Sequence, residues 1–133
     1  MKFFHLSVLH IGLKLINRDL REDQEYIFHQ IAELAMRERP DALVIAGDIY
    51  DKAVPSAEAM EVLDGFIEEQ TQNLPELVIM MISGNHDSAV RVNCYRSVLA
   101  RQRLHQYFPL FEFLNPYVLL PLHLFLPEDK TDD

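Results

Sequence analysis

Cysteine, glycine and tryptophan are scarce or absent in this chain of 133 residues. The one cysteine, Cys94, permits no disulfide within the chain, so we expect a reducing compartment such as the cytoplasm. A buried structural thiol is the favoured interpretation of this residue over a catalytic nucleophile. The four glycines include no glycine-rich phosphate loop, which argues against a nucleotide site of that type.

Basic residues are outnumbered by acidic ones, 12 to 21, and the formal net charge is −9. This balance argues against a protein that holds nucleic acid through a broad basic surface. The exception is the segment 88–103, which has no acid and contains Arg91, Arg96, Arg101 and Arg103. Such a cluster is more commonly a solvated helix face. The alternative is a phosphate-binding patch, with Arg91 and Arg96 as the candidate phosphate contacts.

Long hydrophobic runs are also missing. The most apolar stretch, residues 117–126, is too short to span a bilayer and contains Pro121. The opening residues look superficially like a signal peptide, but two histidines interrupt them and no small-residue cleavage site follows. We therefore expect no membrane anchor, and we interpret residues 3–7 as a first strand.

Three short apolar runs alternate with segments in which apolar residues recur at helical spacing. The predicted order is β-α-β-α-β-α, an α/β fold with helices packed on the sheet. Right-handed crossover helices make the three strands parallel, with their carboxyl ends on one side. The predicted strands are residues 3–7, 42–46 and 77–82, and the predicted helices are residues 19–39, 56–73 and 88–103.

Groups suited to metal chemistry stand shortly after all three apolar runs. His10 follows the first run, Asp48 and Asp51 follow the second, and Asn85 and His86 follow the third. Ligands bind at the carboxyl ends of the strands in open α/β sheets, so we expect these five side chains to converge at one edge. For an isolated Gly-Asp pair, a helix-capping aspartate would be the commoner meaning.

Imidazole, carboxylate and amide groups suit a divalent ion such as Mn²⁺. An aspartate that bridges two ions, with histidine on one side and asparagine on the other, can build a two-metal site for displacement at a phosphate ester. In this hypothesis Asp48 bridges the ions, while His10 and Asn85 bind metal. His86 is the general acid that protonates the leaving oxygen, and the carboxylate of Asp51 orients the ring of His86.

The motifs GDIYD at residues 47–51 and GNHD at residues 84–87 resemble the second and third sequence blocks of the calcineurin-like metallophosphoesterases. The surrounding words, including RPDALVIAGDIYDKAVPSAEAMEVLD and ISGNHDS, closely resemble the SbcD subunits of bacterial SbcCD nucleases. The resemblance covers roughly residues 1–105. It implies half of a metallophosphoesterase sandwich in residues 1–105, followed by a divergent segment rich in proline and aromatic residues with an acidic tail in residues 106–133.

The same resemblance implies an activity and its partners. The activity would be a Mn²⁺-dependent DNA exonuclease and endonuclease that processes DNA ends and hairpins. The partners would be DNA, an SbcC-type ATPase subunit and a second copy of the chain in a homodimer formed through helices of this domain. On this view Arg91 and Arg96 would contact the phosphates of DNA.

The chain departs from the family pattern in two places. The first block of the family reads Asp-x-His, whereas this chain has Val8, Leu9 and His10, and valine cannot bind a metal. The second half of the family domain supplies further histidines, including a Gly-His-x-His block, and nothing here matches it, since His105 and His123 are isolated. The sequence therefore predicts about half of a two-metal site, with one ligand missing from that half.

Two other functions remain open on the sequence alone. A phosphatase or cyclic-nucleotide phosphodiesterase of the same fold would hydrolyse a small ester without cleaving DNA. A non-catalytic interaction module would keep the helices for dimerisation and lose the metal chemistry, for which Val8 and the missing second half are the grounds.

Overall fold

The computed structural model describes residues 1–107. Its strands are β1 (Phe3–Ser7), β2 (Lys14–Leu15), β3 (Arg18–Asp19), β4 (Ala42–Ala46), β5 (Val78–Ile82) and β6 (Leu104–Tyr107). Its helices are α1 (Arg21–Glu38), α2 (Ala57–Asn73), α3 (Ala89–Val92), α4 (Arg96–Leu99) and a 3₁₀ turn at Ala100–Gln102.

Four parallel strands form the main sheet in the order β1-β4-β5-β6. The register pairs Phe3 with Ala42, Ala42 with Val78, and Ile79 with Leu104. The predicted α/β fold with three parallel strands and crossover helices is confirmed, and β6 adds a fourth strand at the edge of the sheet. Strand β6 extends across residue 105, the predicted boundary between the two segments of the chain. The segment rich in proline and aromatic residues lies outside the described residues from position 108 onward.

The hydrophobic core lies between the sheet and the two long helices. Leu43, Ile45 and Ile79 are almost completely buried at the centre of the sheet, because β4 and β5 have neighbours on both sides. The rings of Phe28 on α1 and Phe66 on α2 stack with their centroids 4.7 Å apart. Apolar burial therefore holds both helices on one layer and places the strand ends in a fixed arrangement.

Local sequence features explain where α1 ends and where α2 begins. The backbone nitrogen of Arg39 donates to the Ala35 carbonyl at the end of α1, and Pro40 prevents the helix from continuing. The hydroxyl of Ser56 accepts a hydrogen bond from the Ala59 nitrogen at 3.2 Å, so the predicted N-cap of α2 is confirmed.

The third predicted helix, a continuous segment from 88 to about 103, is wrong. The chain instead forms α3, α4 and the 3₁₀ turn, with a break at residues 93–95. The side-chain amide of Asn93 donates to the Ala89 carbonyl at 2.8 Å, a local bond that competes with helix propagation. Tyr95 then adopts a left-handed backbone with φ of 60°. The break leaves Cys94 exposed, so the expected buried thiol is also wrong.

A short antiparallel hairpin, β2–β3, follows the first loop and was not expected from the sequence. It precedes α1 and contributes one side of a groove described below. Within residues 1–107, the helices are all too short or too polar to cross a membrane.

Candidate metal centre

The loops that follow β1, β4 and β5 meet at the carboxyl edge of the sheet. Potential ligand atoms of His10, Asp51 and His86 all lie within 4.8 Å of one another. A carboxylate oxygen of Asp48 is 4.0 Å from the Nε2 atom of His10. Asn85 lies directly against Asp48, within hydrogen-bond distance of its carboxylate. All five side chains predicted for the site are therefore brought together.

Backbone and side-chain hydrogen bonds fix the first loop. The His10 nitrogen donates to the Asp48 carbonyl at 2.9 Å, which ties the first loop to the second. From α1, the side chain of Gln24 donates to the His10 carbonyl at 3.0 Å and accepts from the Gly12 nitrogen at 3.2 Å. Sequence reasoning missed Gln24, because a glutamine within an amphipathic helix carries no signal of such a contact.

The second and third loops are in direct contact at Gly84. A Cβ atom on this residue would overlap the backbone nitrogen and the carboxylate of Asp48, so only glycine allows the loops to approach this closely. Two residues later, the His86 nitrogen donates to the carboxylate of Asp48 at 2.9 Å. The orientation of Asp48 is thus set by the backbone of the third loop.

Asp87 holds the same two loops together from inside the protein. One carboxylate oxygen accepts from the Ile49 nitrogen at 3.0 Å and from the Gly84 nitrogen at 2.7 Å, and the other accepts from the Tyr50 nitrogen at 2.7 Å. Its relative exposure is 9%. No role for Asp87 was predicted from the sequence, although an aspartate after a tight turn commonly bonds to nearby backbone nitrogens.

Three residues at or beside the site have a left-handed backbone. Both His10 and Asp48 have φ of 43°, a region in which aspartate and histidine are enriched among residues other than glycine. Val8 has φ of 56°, which is a genuine outlier for a β-branched residue, and its side chain is 59% exposed. Strain of this kind clusters at functional sites. Val8 is therefore unfavourable at its position for two reasons, its left-handed backbone and its exposed apolar side chain.

The ring of His10 faces two carboxylates without a hydrogen bond to either. Its Nδ1 atom is buried and has no hydrogen-bond partner among the described residues, and it lies 3.6 Å from a carboxylate oxygen of Asp51. Both this distance and the 4.0 Å to Asp48 exceed hydrogen-bond length. A buried nitrogen without a partner is costly unless another group, such as a cation between the ligands, satisfies it.

The amide of Asn85 can face the carboxylate of Asp48 in two orientations. With its nitrogen toward Asp48, the Asn85 amide donates to the two carboxylate oxygens at 3.0 and 3.2 Å. With its oxygen toward them, three oxygens face one another, which is favourable only around a shared cation. The two side chains can thus hydrogen-bond to each other, or they can present their oxygen atoms together as ligands for a cation.

The predicted contact between His86 and Asp51 takes a different form. The Nδ1 atom of His86 lies 3.0 Å from the backbone carbonyl of Asp51, so the ring is held by the carbonyl and not by the carboxylate. The carboxylate points toward His10 instead, because the second loop turns its side chain into the cluster. A proton on Nδ1 satisfies that carbonyl, and Nε2 remains available for other partners.

Tyr50, between the two aspartates of the second loop, stays neutral at ordinary pH. Burial raises the pKa of its hydroxyl to about 12, and the negative charges of Asp87 and Asp64 act in the same direction. This residue therefore packs beside the cluster as an uncharged group. It is not a candidate for proton transfer near neutral pH.

A groove of about 590 Å³ adjoins the cluster at Asp51. It runs between the β2–β3 hairpin and the beginnings of α1 and α2, and it exposes Lys14, Arg21 and Lys52. Two of these cations are paired with acids, Lys14 with Asp19 at 3.5 Å and Arg21 with Glu25 at 2.8 Å. This groove was not predicted from the sequence, because its walls come from segments that are distant in the chain.

The sequence matches the calcineurin-like phosphoesterase family over residues 1–129. The chain belongs to this family. Two bacterial relatives are similar over 93 residues, or 70% of this chain. The SbcD subunit of the SbcCD nuclease from Staphylococcus epidermidis is 44% identical, and the same subunit from Staphylococcus saprophyticus is 39% identical. The aligned part covers 25% and 24% of these relatives, so the chain spans about a quarter of their length.

The side chains gathered at this edge of the sheet fit a divalent cation. The cluster offers the imidazoles of His10 and His86, the carboxylates of Asp48 and Asp51 and the amide of Asn85, and this set of nitrogen and oxygen atoms suits ions such as Mn²⁺. The unpartnered Nδ1 atom of His10 is the independent observation in favour of a bound ion. Val8, by contrast, offers no ligand atom at the start of the first loop.

Arg91 and Arg96 lie outside this cluster, on α3 and α4, and both are exposed. Their neighbour Arg103 is paired with Glu76 at 2.8 Å and also donates to the Glu76 carbonyl. The predicted arginine patch is thereby reduced to Arg91, Arg96 and Arg101 as candidates for contact with phosphates.

Proposed function

We propose that this chain carries one side of a Mn²⁺-dependent phosphodiesterase site that acts on DNA. The observation that carries the proposal is the convergence of His10, Asp48 and Asn85, with a ring nitrogen and carboxylate oxygens facing one another at distances too long for hydrogen bonds. The two relatives named as nuclease subunits support DNA as the substrate.

In the proposed site, Asp48 would be the ligand shared by two metal ions, and His10 and Asn85 would each hold one of them. Bound Mn²⁺ would supply an activated water and stabilise charge on the phosphate. His86 acts as the general acid and protonates the leaving oxygen from Nε2, since its Nδ1 is held by the Asp51 carbonyl. Asp51 thus serves the reaction in two ways, through its carbonyl toward His86 and its carboxylate toward His10.

We also propose the DNA contacts, the partners and the location of this chain. DNA phosphates contact Arg91 and Arg96, and the chain acts with an SbcC-type ATPase subunit and as a homodimer in the cytoplasm. The names of the relatives, which describe one subunit of a two-part nuclease, support the first of these partners.

A second candidate is a non-catalytic module that dimerises without binding metal. Its support is Val8, which places an exposed apolar side chain at the start of the first loop, where the family pattern has an aspartate. The two candidates differ in one measurable property, the affinity of the isolated chain for Mn²⁺.

The test is a calorimetric Mn²⁺ titration of the 133-residue chain and of Asp48→Asn. We expect binding that falls by more than about tenfold in the variant. Asp64→Asn is the matched control, because Asp64 is exposed on α2 and makes no hydrogen bond or ion pair within residues 1–107. Equal binding by all three proteins would contradict the site, and an intact dimer with no binding would favour the second candidate.

Hydrolysis assays with Mn²⁺ then separate the substrates. Cleavage of single- or double-stranded DNA that Asp48→Asn abolishes would support the nuclease. Turnover of bis-p-nitrophenyl phosphate with no cleavage of DNA would assign the chain to the small-ester phosphodiesterases of the same fold.

A further inference from the structure

Gln24 is a polar residue on the inward face of α1. It stands four residues before the buried Phe28, so the two side chains lie on the same side of the helix. Its amide reaches the loop after β1 and makes three hydrogen bonds there. The Nε2 atom donates to the carbonyls of Leu9 at 3.3 Å and His10 at 3.0 Å, and Oε1 accepts from the Gly12 nitrogen at 3.2 Å.

These three partners require a neutral amide at position 24. The two carbonyl oxygens need N–H donors, whereas the Gly12 nitrogen needs an acceptor, and the side chain of glutamine supplies both. An ionised glutamate could accept from the Gly12 nitrogen, but it has no hydrogen to donate and would face two carbonyl oxygens with a negative charge. The contacts therefore depend on the chemistry of the amide as well as on the length of the side chain.

The loop that Gln24 holds is the one that carries His10. The backbone of His10 is left-handed, and its buried Nδ1 atom lies without a hydrogen-bond partner 3.6 Å from a carboxylate oxygen of Asp51. At Gly12 a Cβ atom would lie 3.0 Å from the Cβ atom of Ala59, so this part of the loop packs closely against α2. Because Gln24 bonds to both His10 and Gly12, it fixes the backbone on both sides of the turn.

We infer that Gln24 is a positioning residue that sets the direction of the His10 ring through the backbone of its loop. The ring faces the carboxylates of Asp48 and Asp51, and a rotation of the His10 backbone out of its left-handed conformation would carry the ring away from them. Loss of the amide bonds should therefore weaken cation binding without removing a ligand. The effect on affinity rests on the proposed function, whereas the effect on the loop requires no metal.

Two substitutions of Gln24 separate positioning from charge. Gln24→Met keeps the length of the side chain and removes all three hydrogen bonds, whereas Gln24→Glu keeps the shape and adds a negative charge near the cluster. In calorimetric titrations of the full chain, both variants should bind Mn²⁺ about ten- to 100-fold more weakly. A side chain that acted through charge alone would make Gln24→Glu bind the cation at least as tightly as the unchanged chain. That result would overturn the inference.

Gln30→Met and Gln30→Glu are the matched controls. Gln30 is exposed on the same helix, and its amide donates to the hydroxyl of Tyr26 and not to a loop of the cluster. Both controls should bind Mn²⁺ within about twofold of the unchanged chain. Circular dichroism and urea unfolding would verify that all four variants are folded under the conditions of the titration. Equal affinities for Gln24→Met and Gln30→Met would count against a positioning role.

NMR spectroscopy in EDTA tests the position of the loop without metal. The Gly12 N–H has no other acceptor among the described residues, so its hydrogen exchange should be about three- to tenfold faster in Gln24→Met. The ring resonances of His10 should shift, while those of His29, an exposed residue of α1, should not.

The NMR result separates this inference from the proposed function. Unchanged exchange at Gly12 together with unchanged His10 resonances would overturn the role of Gln24, whatever the affinity for Mn²⁺. If the unchanged chain bound no Mn²⁺, the proposed function would fail, and the metal-free spectra would still decide whether Gln24 positions the loop.

Discussion

Asp87 supports the loops after β4 and β5 but is not itself a candidate metal ligand. Its substitution should therefore test the contribution of that support without removing a ligand. Its carboxylate accepts three backbone hydrogen bonds, from Ile49, Tyr50 and Gly84, and it is almost completely buried. Asp87→Ala leaves three donors without a partner, at about 1–2 kcal/mol each, so we expect a loss of roughly 3–6 kcal/mol in the free energy of unfolding. That is a large part of the roughly 5–15 kcal/mol typical of a domain.

Asp87→Asn gives a smaller, graded loss. Its amide oxygen can keep the bonds to Ile49 and Gly84, but its amide nitrogen then faces the Tyr50 nitrogen, so that two donors oppose each other. We expect a loss of about 1–3 kcal/mol, because one buried bond is broken and a repulsive contact replaces it. The folded fraction should also bind Mn²⁺ more weakly, since the second and third loops lose their common anchor.

Urea unfolding followed by circular dichroism measures both variants against the unchanged chain. Asp64→Asn, the same chemical change at an exposed position of α2, is the control and should shift the free energy by less than about 0.5 kcal/mol. A loss below about 1 kcal/mol for Asp87→Ala would refute the reasoning, since it would mean that the three hydrogen bonds contribute little to the fold.

Three further predictions concern other positions. Val8→Asp should raise Mn²⁺ affinity in a calorimetric titration more than Val8→Asn does, because both relieve the left-handed valine but only aspartate adds charge; equal affinities would contradict an ion at this loop. The pKa of Tyr50 rises from 10.0 to about 12 on folding, so its contribution to stability is complete below pH 10 and lost toward pH 12. Tyr50→Phe should weaken this alkaline loss in urea titrations, and an unchanged loss would assign it elsewhere. Ser56→Ala should cost about 1 kcal/mol, since it removes the N-cap bond to Ala59; Ser97→Ala, at an exposed position, is its control.

The sheet and the position of the site could be predicted because both depend on local patterns. The strands are short apolar runs, and each run is followed within a few residues by polar groups, so the hydrophobic pattern indicates the strand and its end together. Parallel pairing then requires the loops to share an edge. His10, Asp48 and Asn85 were found for this reason, without knowledge of any contact between them.

The remaining features depend on contacts that a local pattern does not contain. The break in the third helix arises from the side-chain bond of Asn93 and the left-handed turn at Tyr95, whereas a continuous helix was predicted from the sequence. Likewise, the direction of the Asp51 carboxylate is decided by the packing of two loops. The role of Asp87 required knowing which backbone nitrogens the sheet brings within its reach.

The register of the sheet has a kinetic consequence. Strand β4 pairs with β1 and β5 at residues that are 39 and 36 positions apart in the chain, so neither pairing can form before a long loop has closed. The metal-binding loops are attached to the ends of these strands and can meet only after the pairing is complete. Mn²⁺ should therefore lower the unfolding rate of the chain and leave its folding rate almost unchanged.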